Sequence, residues 1–454
     1  MNGLNQKPRL HYAPQSGMLN DPNGLYYDSA SGLYHVFYQY QLGIFGDGFV
    51  KWGHAAGKTL FSLNEYPYAV GIKPGVGAFS GGAIIDEGNA SGLFSKVSKP
   101  CSRAFFAFTE CNLETRAEKQ NCAYSEDGFR IKKGGTIVEN DALRFAPNTF
   151  RDPSLFRFDG RFFMMTGGCE LRLFSSDDLK NWKFESFVEN VAASDNAIIG
   201  DMNEIRKYLP LNDPESEKMA GECPDVFRLK GGEDNEFFLS AGGVFFVSGM
   251  MTKKDGVYRF EPKGERTKSV YSADFFSGKG EAYAMQTFRG LKSPVALFWL
   301  RDLPREQNKP FNGCLSLPYE VYSRCGEIRF KTTREYSELI REDYRGGNFL
   351  EITSKDENFS FVVGYGDKEI PFVADENGLK IGLKGSFGFT EDIFIPRVNE
   401  TQDFFVLFDG YVVEGLYQGR LFSFFNDNYS FLPFKTEVRR GKPNISQIML
   451  NKEQ

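Results

Sequence analysis

Three short segments place a carboxylate among turn-forming residues: Asn20-Asp21-Pro22-Asn23-Gly24, Phe150-Arg151-Asp152-Pro153 and Glu222-Cys223-Pro224-Asp225. Carboxylates flanking one bond are the usual apparatus for cleaving a glycosidic linkage. One must be an ionised nucleophile. Another must hold a proton near neutral pH, which requires a raised pKa. Glutamate is longer than aspartate, so Glu222 has the reach to a leaving oxygen. Taken singly, each segment reads as a turn, because Asp, Asn, Pro and Gly favour turns on their own account. Their common register in a repeat makes them candidates.

That repeat sets the elements that must position them. Short apolar runs bounded by Gly, Asp, Asn or Ser recur along the chain, the signal of strands. Five units open similarly, at Asn20 (NDPNGLYYDSASGLYHVFYQY), Phe79 (FSGGAIID), Phe150 (FRDPSLFRFDGRFFMMTGG), Glu222 (ECPDVFRLKGGEDNEFFLSAGG) and Glu281 (EAYAMQTFRGLKSPVALFWLR). Their starts lie about 60–70 residues apart, with three or four strands each, the pattern of blades repeated around an axis. The expected fold is all-β: a five-bladed β-propeller over residues 1–325, then a β-sandwich over 326–454, where strands such as FSFVVGY and FFVLFDGYVVEGLY follow another rhythm. The competing reading is one irregular sandwich. Helical stripes are few and short, as at Asp201–Tyr208. In a propeller the first strand of each blade lines the axis, so Asp21, Asp152 and Glu222 would meet at one mouth.

Composition narrows the function. Of 454 residues, 41% are hydrophobic and 25% charged, ordinary for a soluble globular protein. The 54 basic and 60 acidic residues are interspersed for a net charge of −6, with no basic stripe to bind nucleic acid. No apolar run reaches the ~18 residues of a membrane span. Met1–Leu10 is polar and lacks the apolar core of a signal peptide. The seven cysteines are odd in number and scattered, so we expect no disulfide framework, no metal and no other cofactor, and free thiols in a reducing cytosol. With only His11, His35 and His54 present, chemistry built on several histidines has little material. The 46 Phe, 21 Tyr and 48 Gly suit many short strands joined by tight turns. Nothing specifies an oligomeric state.

Together the three segments resemble the signature motifs of glycoside hydrolase family 32, the family of invertases, sucrose-6-phosphate hydrolases, levanases and inulinases. Phe79-Ser80-Gly81-Gly82-Ala83 resembles its FSGSA element with Gly82 in place of serine, and Lys51-Trp52-Gly53-His54-Ala55 its WGHA element. The resemblance runs from His11 to about Pro318 and implies a propeller followed by a sandwich. It implies that Asp21 attacks the anomeric carbon of fructose, that Glu222 is general acid and then base, and that Asp152 grips fructose hydroxyls. It places Asn20, Gln39, Trp52, Ser80 and Arg151 around the fructose subsite. Arg151, beside Asp152, could lower its pKa, and the Cys223 thiol either modulates the pKa of Glu222 or is merely packed. His54 is expected to be structural. The family's Asp-Phe-Tyr-Ala element stands here as Glu281-Ala282-Tyr283-Ala284, and a Gly-Trp pair as Phe298-Trp299. These changes leave Tyr283 and Trp299 as candidates for acid tuning or the subsite rim.

The expected activity is retaining release of β-D-fructofuranosyl units from sucrose, sucrose 6-phosphate or a related fructoside. Fructan hydrolysis and fructosyl transfer share that chemistry, since only the acceptor differs. A carbohydrate-binding protein with a dead site would not need Glu222 as an acid. An inverting arabinan-cleaving propeller is disfavoured by the Asn20–Gly24 motif. No phosphate-cradling loop is identifiable.

Overall fold

The computed structural model describes residues 7–44, 46, 48–71, 73–140, 150–168, 171–188, 221–273, 278–302, 310–341, 349–365, 368–386, 388–398, 403–426 and 435–450. The expected helical stripe at Asp201–Tyr208 lies outside them. Strands dominate the described chain, as expected, with one short α-helix, α1 (Arg334–Leu339), among the described residues.

The first sheet holds β1 (Gly17–Asp28), β2 (Leu33–Gln41), β3 (Lys51–Gly57) and β4 (Asn64–Val70). The second holds β5 (Val76–Ile85), β6 (Ala104–Asn112), β7 (Glu118–Ser125) and β8 (Lys132–Val138). The third holds β9 (Phe150–Phe158), β10 (Arg161–Gly168), β11 (Arg172–Ser176) and β12 (Lys183–Phe187). The fourth holds β13 (Asp225–Phe227), β14 (Glu236–Ala241), β15 (Phe245–Lys254) and β16 (Val257–Lys268). After β17 (Val270–Tyr271), the fifth is built on β18 (Lys279–Thr287), β19 (Val295–Asp302), β22 (Tyr319–Arg324) and β23 (Glu327–Thr332), with β21 (Cys314–Leu315) beside β19. Each main path is an antiparallel meander in chain order. The fifth ends at Thr332, past residue 325.

Burial follows this order. Every residue of β3 and of β11 is buried, because these sheets have neighbours on both faces, whereas β4 and β8 are largely exposed. Tyr26, Phe37 and Trp52 of the first sheet pack on Phe106 and Phe108 of the second. Phe105 of the second packs with Leu155 and Met164 of the third, and Phe163 and Leu173 of the third with Phe237 and Val247 of the fourth. The remaining cluster joins Phe238 and Phe246 of the fourth sheet, Met285 and Phe298 of the fifth, and Leu19 and Tyr38 of the first. The first strands touch in the cycle β1–β5–β9–β13–β18–β1. β20 (Phe311–Asn312), which follows β19, pairs in parallel with the start of β1.

Beyond α1 the strands form a seven-stranded sheet, joined by β17, and a five-stranded one. Leu350, Ile352 and Phe408 of the first meet Phe361, Phe372 and Ile395 of the second in a separate apolar core. Leu407, Val412 and Phe425 of the seven-stranded sheet instead join the cluster of the first, fourth and fifth sheets. A buried ionic clasp reinforces that contact. His11 Nδ1 lies 2.8 Å from Asp409 Oδ2, and Nε2 lies 2.6 Å from Glu414 Oε2. The main-chain N–H groups of Arg9, Leu10 and His11 also donate to Asp409. Burial alone would push His11 down, but hydrogen bonds to Asp409 and Glu414 push its pKa up to about 9.

Candidate active site

The site segments interrupt their own ladders. Register shifts fall at Leu19/Pro22 in β1, Ala78/Gly81 in β5, Met165/Gly167 opposite the start of β9, and Lys279/Ala282 and Tyr283/Gln286 in β18. A bulge leaves a residue unpaired and re-aims its side chain, here at one end of the cycle of first strands. Asp152, Cys223 and Ala284 also adopt left-handed backbone, with φ of 59°, 47° and 53°. Such conformations cost energy in residues other than glycine and persist where the surroundings over-determine them. At Asp152 the main-chain N–H donates to Thr109 Oγ1 (2.9 Å), and Thr109 donates to Gln120 (3.0 Å).

These distortions bring the three carboxylates into one network. Ser80 Oγ donates to Asp21 Oδ2 at 2.6 Å, and the Gln39 amide donates to the same hydroxyl. The Cys223 thiol lies 3.5 Å from Asp21 Oδ2 and 3.7 Å from Asp152 Oδ2, and its main-chain N–H donates to Asp152 at 3.0 Å. Arg151 spreads its fork between Glu118 Oε1 (2.9 Å) and Glu222 Oε1 (3.3 Å). The Tyr283 hydroxyl donates to Glu222 Oε2 at 2.9 Å. The side chain of Glu222 is 27% exposed, whereas Asp152 is only 6% exposed, so Glu222 faces the open side. Asn20 Oδ1 is buried with no hydrogen-bond partner, an acceptor left for a ligand or water.

Crowding sets the electrostatics. Burial raises Asp21 to about 6, with repulsion from Glu222 adding and the Ser80 hydrogen bond opposing. Burial raises Asp152 to about 7, against the pull of Arg151 and with the push of Glu222 and Asp21. Burial would lower Arg151, but Glu222, Glu118 and Asp152 hold its guanidinium firmly charged. Burial and the neighbouring carboxylates keep Cys223 a protonated thiol. The arrangement offers one carboxylate that ionises near pH 6, a second carboxylate open to solvent, and a third buried between cation and thiol. No cluster able to hold a metal ion occurs among the described residues.

Residues 11–331 match the N-terminal domain of glycosyl hydrolases family 32. The chain belongs to this family. Invertase 1 of Saccharomyces cerevisiae is 35% identical over 199 residues, 42% of this chain and 36% of the invertase. The chain therefore matches about a third of the length of that relative. Sucrose-6-phosphate hydrolase of Zymomonas mobilis is 27% identical over 397 residues, 81% of this chain and 67% of that protein. Among solved structures, a family 32 β-fructofuranosidase of Bombyx mori superposes with a TM-score of 0.72 over 98% of this chain and 94% of its own, at 18% identity. The sucrose-6-phosphate hydrolase of Lactobacillus gasseri superposes with a TM-score of 0.73, covering 98% and 93%, at 16% identity.

Measured against the family pattern, the structure gathers Asp21, Asp152, Glu222, Gln39, Ser80, Arg151, Cys223 and Tyr283 into the network. Two expectations, for Trp52 and Cys223, need correction. Trp52 is fully buried and donates its indole N–H to the Phe79 carbonyl (2.9 Å), so it supports the site from behind and does not line it. Arg151 does pull Asp152 down, as expected, although burial outweighs that pull and the fork is taken by Glu118 and Glu222. The Cys223 thiol points to Asp21 and Asp152, not to the adjacent Glu222.

The departures from the family pattern have physical reasons. A Cβ at Gly82 would stand 3.0 Å from the Pro153 carbonyl, so glycine lets β5 and β9 approach. Glu281 is buried and accepts the N–H groups of Gly278 and Lys279, both at 2.7 Å, away from the three carboxylates. Asp225 is held by Arg289 (2.8 Å) and by Thr287, which makes it structural. Trp299, 7% exposed, lies across β19 from Tyr283 in β18 and carries the Arg301 guanidinium 5.2 Å from its ring. His54 is structural, buried with Nε2 3.1 Å from His35 Nδ1, and burial depresses both rings. Glu118, Thr109 and Arg301 were not marked by any local motif. Among the described cysteines, Cys101, Cys111, Cys122 and Cys223 are free thiols. No helix among the described residues is long and apolar enough to cross a membrane.

Proposed function

We propose that the protein is a retaining β-fructofuranosidase acting on sucrose or sucrose 6-phosphate. Asp21 attacks the fructose anomeric carbon, while Glu222 protonates the departing oxygen and then, as base, activates the water that releases fructose. Asp152, pinned by Cys223 and buried, holds fructose hydroxyls, and Asn20 Oδ1 supplies a further acceptor. The observation that carries this reading is the convergence of carboxylates from three units, with one thiol between Asp21 and Asp152 and one guanidinium on Glu222. Asp152 has the higher affinity for a proton of the two buried aspartates, but Glu222 is open to the side from which a leaving group departs.

The reading includes the architecture: the five meanders are blades of a propeller, their first strands line its axis, and the two later sheets form a sandwich. A chain division after Thr332 suits the sheets better than one at residue 325. The free described thiols favour a reducing compartment such as the cytosol. A second reading, fructan hydrolysis or fructosyl transfer, draws support from a fructan β-fructosidase of Streptococcus mutans, 30% identical over 262 residues. Purified protein incubated with sucrose, sucrose 6-phosphate, raffinose, inulin and levan should release fructose fastest from one of the first two. Early-time NMR should show the β-anomer first. Preferred release from inulin or levan selects the second reading, and an initial α-anomer removes Asp21 as nucleophile.

A further inference from the structure

The sheet that carries Asp152 is braced by polar residues of its neighbour. Glu118 and Gln120 stand two positions apart on β7, so their side chains lie on one face of the strand. Both are buried, and both end on Phe150 at the start of β9. Glu118 Oε2 accepts the Phe150 N–H at 2.8 Å, and Gln120 Nε2 donates to the Phe150 carbonyl at 2.8 Å. Thr109 of β6 stands opposite Gln120 in the ladder and is fully buried. Its hydroxyl donates to Gln120 Oε1 at 3.0 Å and accepts the Asp152 main-chain N–H at 2.9 Å.

Each group in this chain of bonds has a fixed role. A carbonyl oxygen only accepts, so the Gln120 amide turns its NH2 to Phe150 and its oxygen to Thr109. The Thr109 proton is thereby committed to Gln120, and the hydroxyl oxygen faces Asp152 as an acceptor. The demand at Asp152 comes from the bulge in β9. Arg151 pairs with Gly167 and Ser154 with Met165, so Asp152 and Pro153 together stand opposite Thr166. Asp152 sits there at φ 59°, a conformation that must be held by its surroundings. A buried N–H without an acceptor would be costly as well. We propose that Thr109 is a positioning residue of the site: its hydroxyl, oriented by Gln120, holds the Asp152 main chain in the left-handed conformation that turns the carboxylate toward Cys223 and the bound sugar.

The inference rests on the fructosidase reading, in which Asp152 grips fructose hydroxyls, and a double-mutant cycle separates the two. The constant kcat/KM, for sucrose or whichever tested fructoside is cleaved fastest, is measured for wild type, Thr109→Val, Asp152→Ala and the double variant. Thr109→Val keeps the shape and deletes the hydroxyl. It should lower kcat/KM about 10–100-fold, the loss expected when a reacting geometry is misplaced by about 1 Å. In the Asp152→Ala background the same substitution should cost less than about three-fold, because the carboxylate it positions is gone. Thr109→Ser keeps the hydroxyl and should recover most of the activity. Comparing Thr109→Ser with Thr109→Ala repeats the hydroxyl test at smaller volume, so a Thr109→Val chain that does not fold leaves the test standing. An equal loss with and without the Asp152 carboxylate would mark a general loosening and overturn the proposal. So would full activity in folded Thr109→Val, or Thr109→Ser as impaired as Thr109→Ala. Wild type that releases no fructose from any fructoside, or Asp152→Ala as active as wild type, would instead overturn the reading of the site.

Discussion

Raising the pH should unfasten the clasp between the N-terminal segment and the seven-stranded sheet. His11 titrates at about 9 in the fold against an ordinary value of 6.5, because two buried carboxylates hold it protonated. A group raised in the folded state stabilises fully below its unfolded pKa, and that contribution is lost as pH rises through the folded pKa. The window is therefore pH 6.5 to 9, and the shift corresponds to about 3 kcal/mol. Few other described groups interfere there. The histidines His35 and His54 are depressed to about 4 and 3, and Asp152, with its midpoint at about 7, titrates in the lower part of the window alike in wild type and in a His11 variant. Denaturant unfolding at pH 6.5 and pH 9.5 should show the wild type losing about 3 kcal/mol more than His11→Gln between those pH values. At pH 6.5 His11→Gln should already be weaker by about 3–5 kcal/mol, since it strands Asp409 and Glu414 without their cation. Equal pH dependence in both proteins would refute the clasp.

Other outcomes follow from single contacts. Ser80→Ala removes the 2.6 Å bond to Asp21 and should move the acidic limb of kcat/KM upward from about pH 6; an unmoved limb would show the bond to be idle. Tyr283→Phe deletes one hydrogen bond to a carboxylate, and kinetics should show kcat/KM falling about 10–100-fold with an unchanged circular dichroism spectrum. Asp225→Ala leaves Arg289 unpaired among the first strands and should cost about 3–5 kcal/mol in denaturant unfolding. Stability within 1 kcal/mol of wild type, on the scale of an exposed pair, would contradict the structural role given to Asp225.

What was legible in the sequence was whatever repeats. Asp21, Asp152 and Glu222 stand out because their segments recur at the starts of repeated units, and strands with aromatic and glycine punctuation announce an all-β chain. What was not legible depends on how units face one another. Glu118 and Thr109 sit on β7 and β6, where no motif marks them, yet they hold Arg151 and the Asp152 backbone. Adjacency misled at Cys223. The left-handed backbone at Asp152 and Cys223 separates each side chain from its neighbour's, sending the guanidinium to Glu118 and Glu222 and the thiol to the aspartates. The family resemblance placed Trp52 at the fructose subsite. Its burial against Phe106 and Phe108 is a property of the packed sheets, which no local pattern encodes.

The proposed covalent step on Asp21 is open to direct observation. A fructosyl fluoride leaves without needing a proton, so Glu222→Ala should still be fructosylated, while lacking the base that activates water for release. Rapid quench followed by peptide mass spectrometry should find one fructosyl unit on the peptide that carries Asp21, formed in a burst stoichiometric with enzyme. The adduct should be absent from Asp21→Ala and should disappear when azide is added. A fructosyl unit on any other residue, or fluoride turnover in Glu222→Ala with neither burst nor adduct, would contradict attack by Asp21.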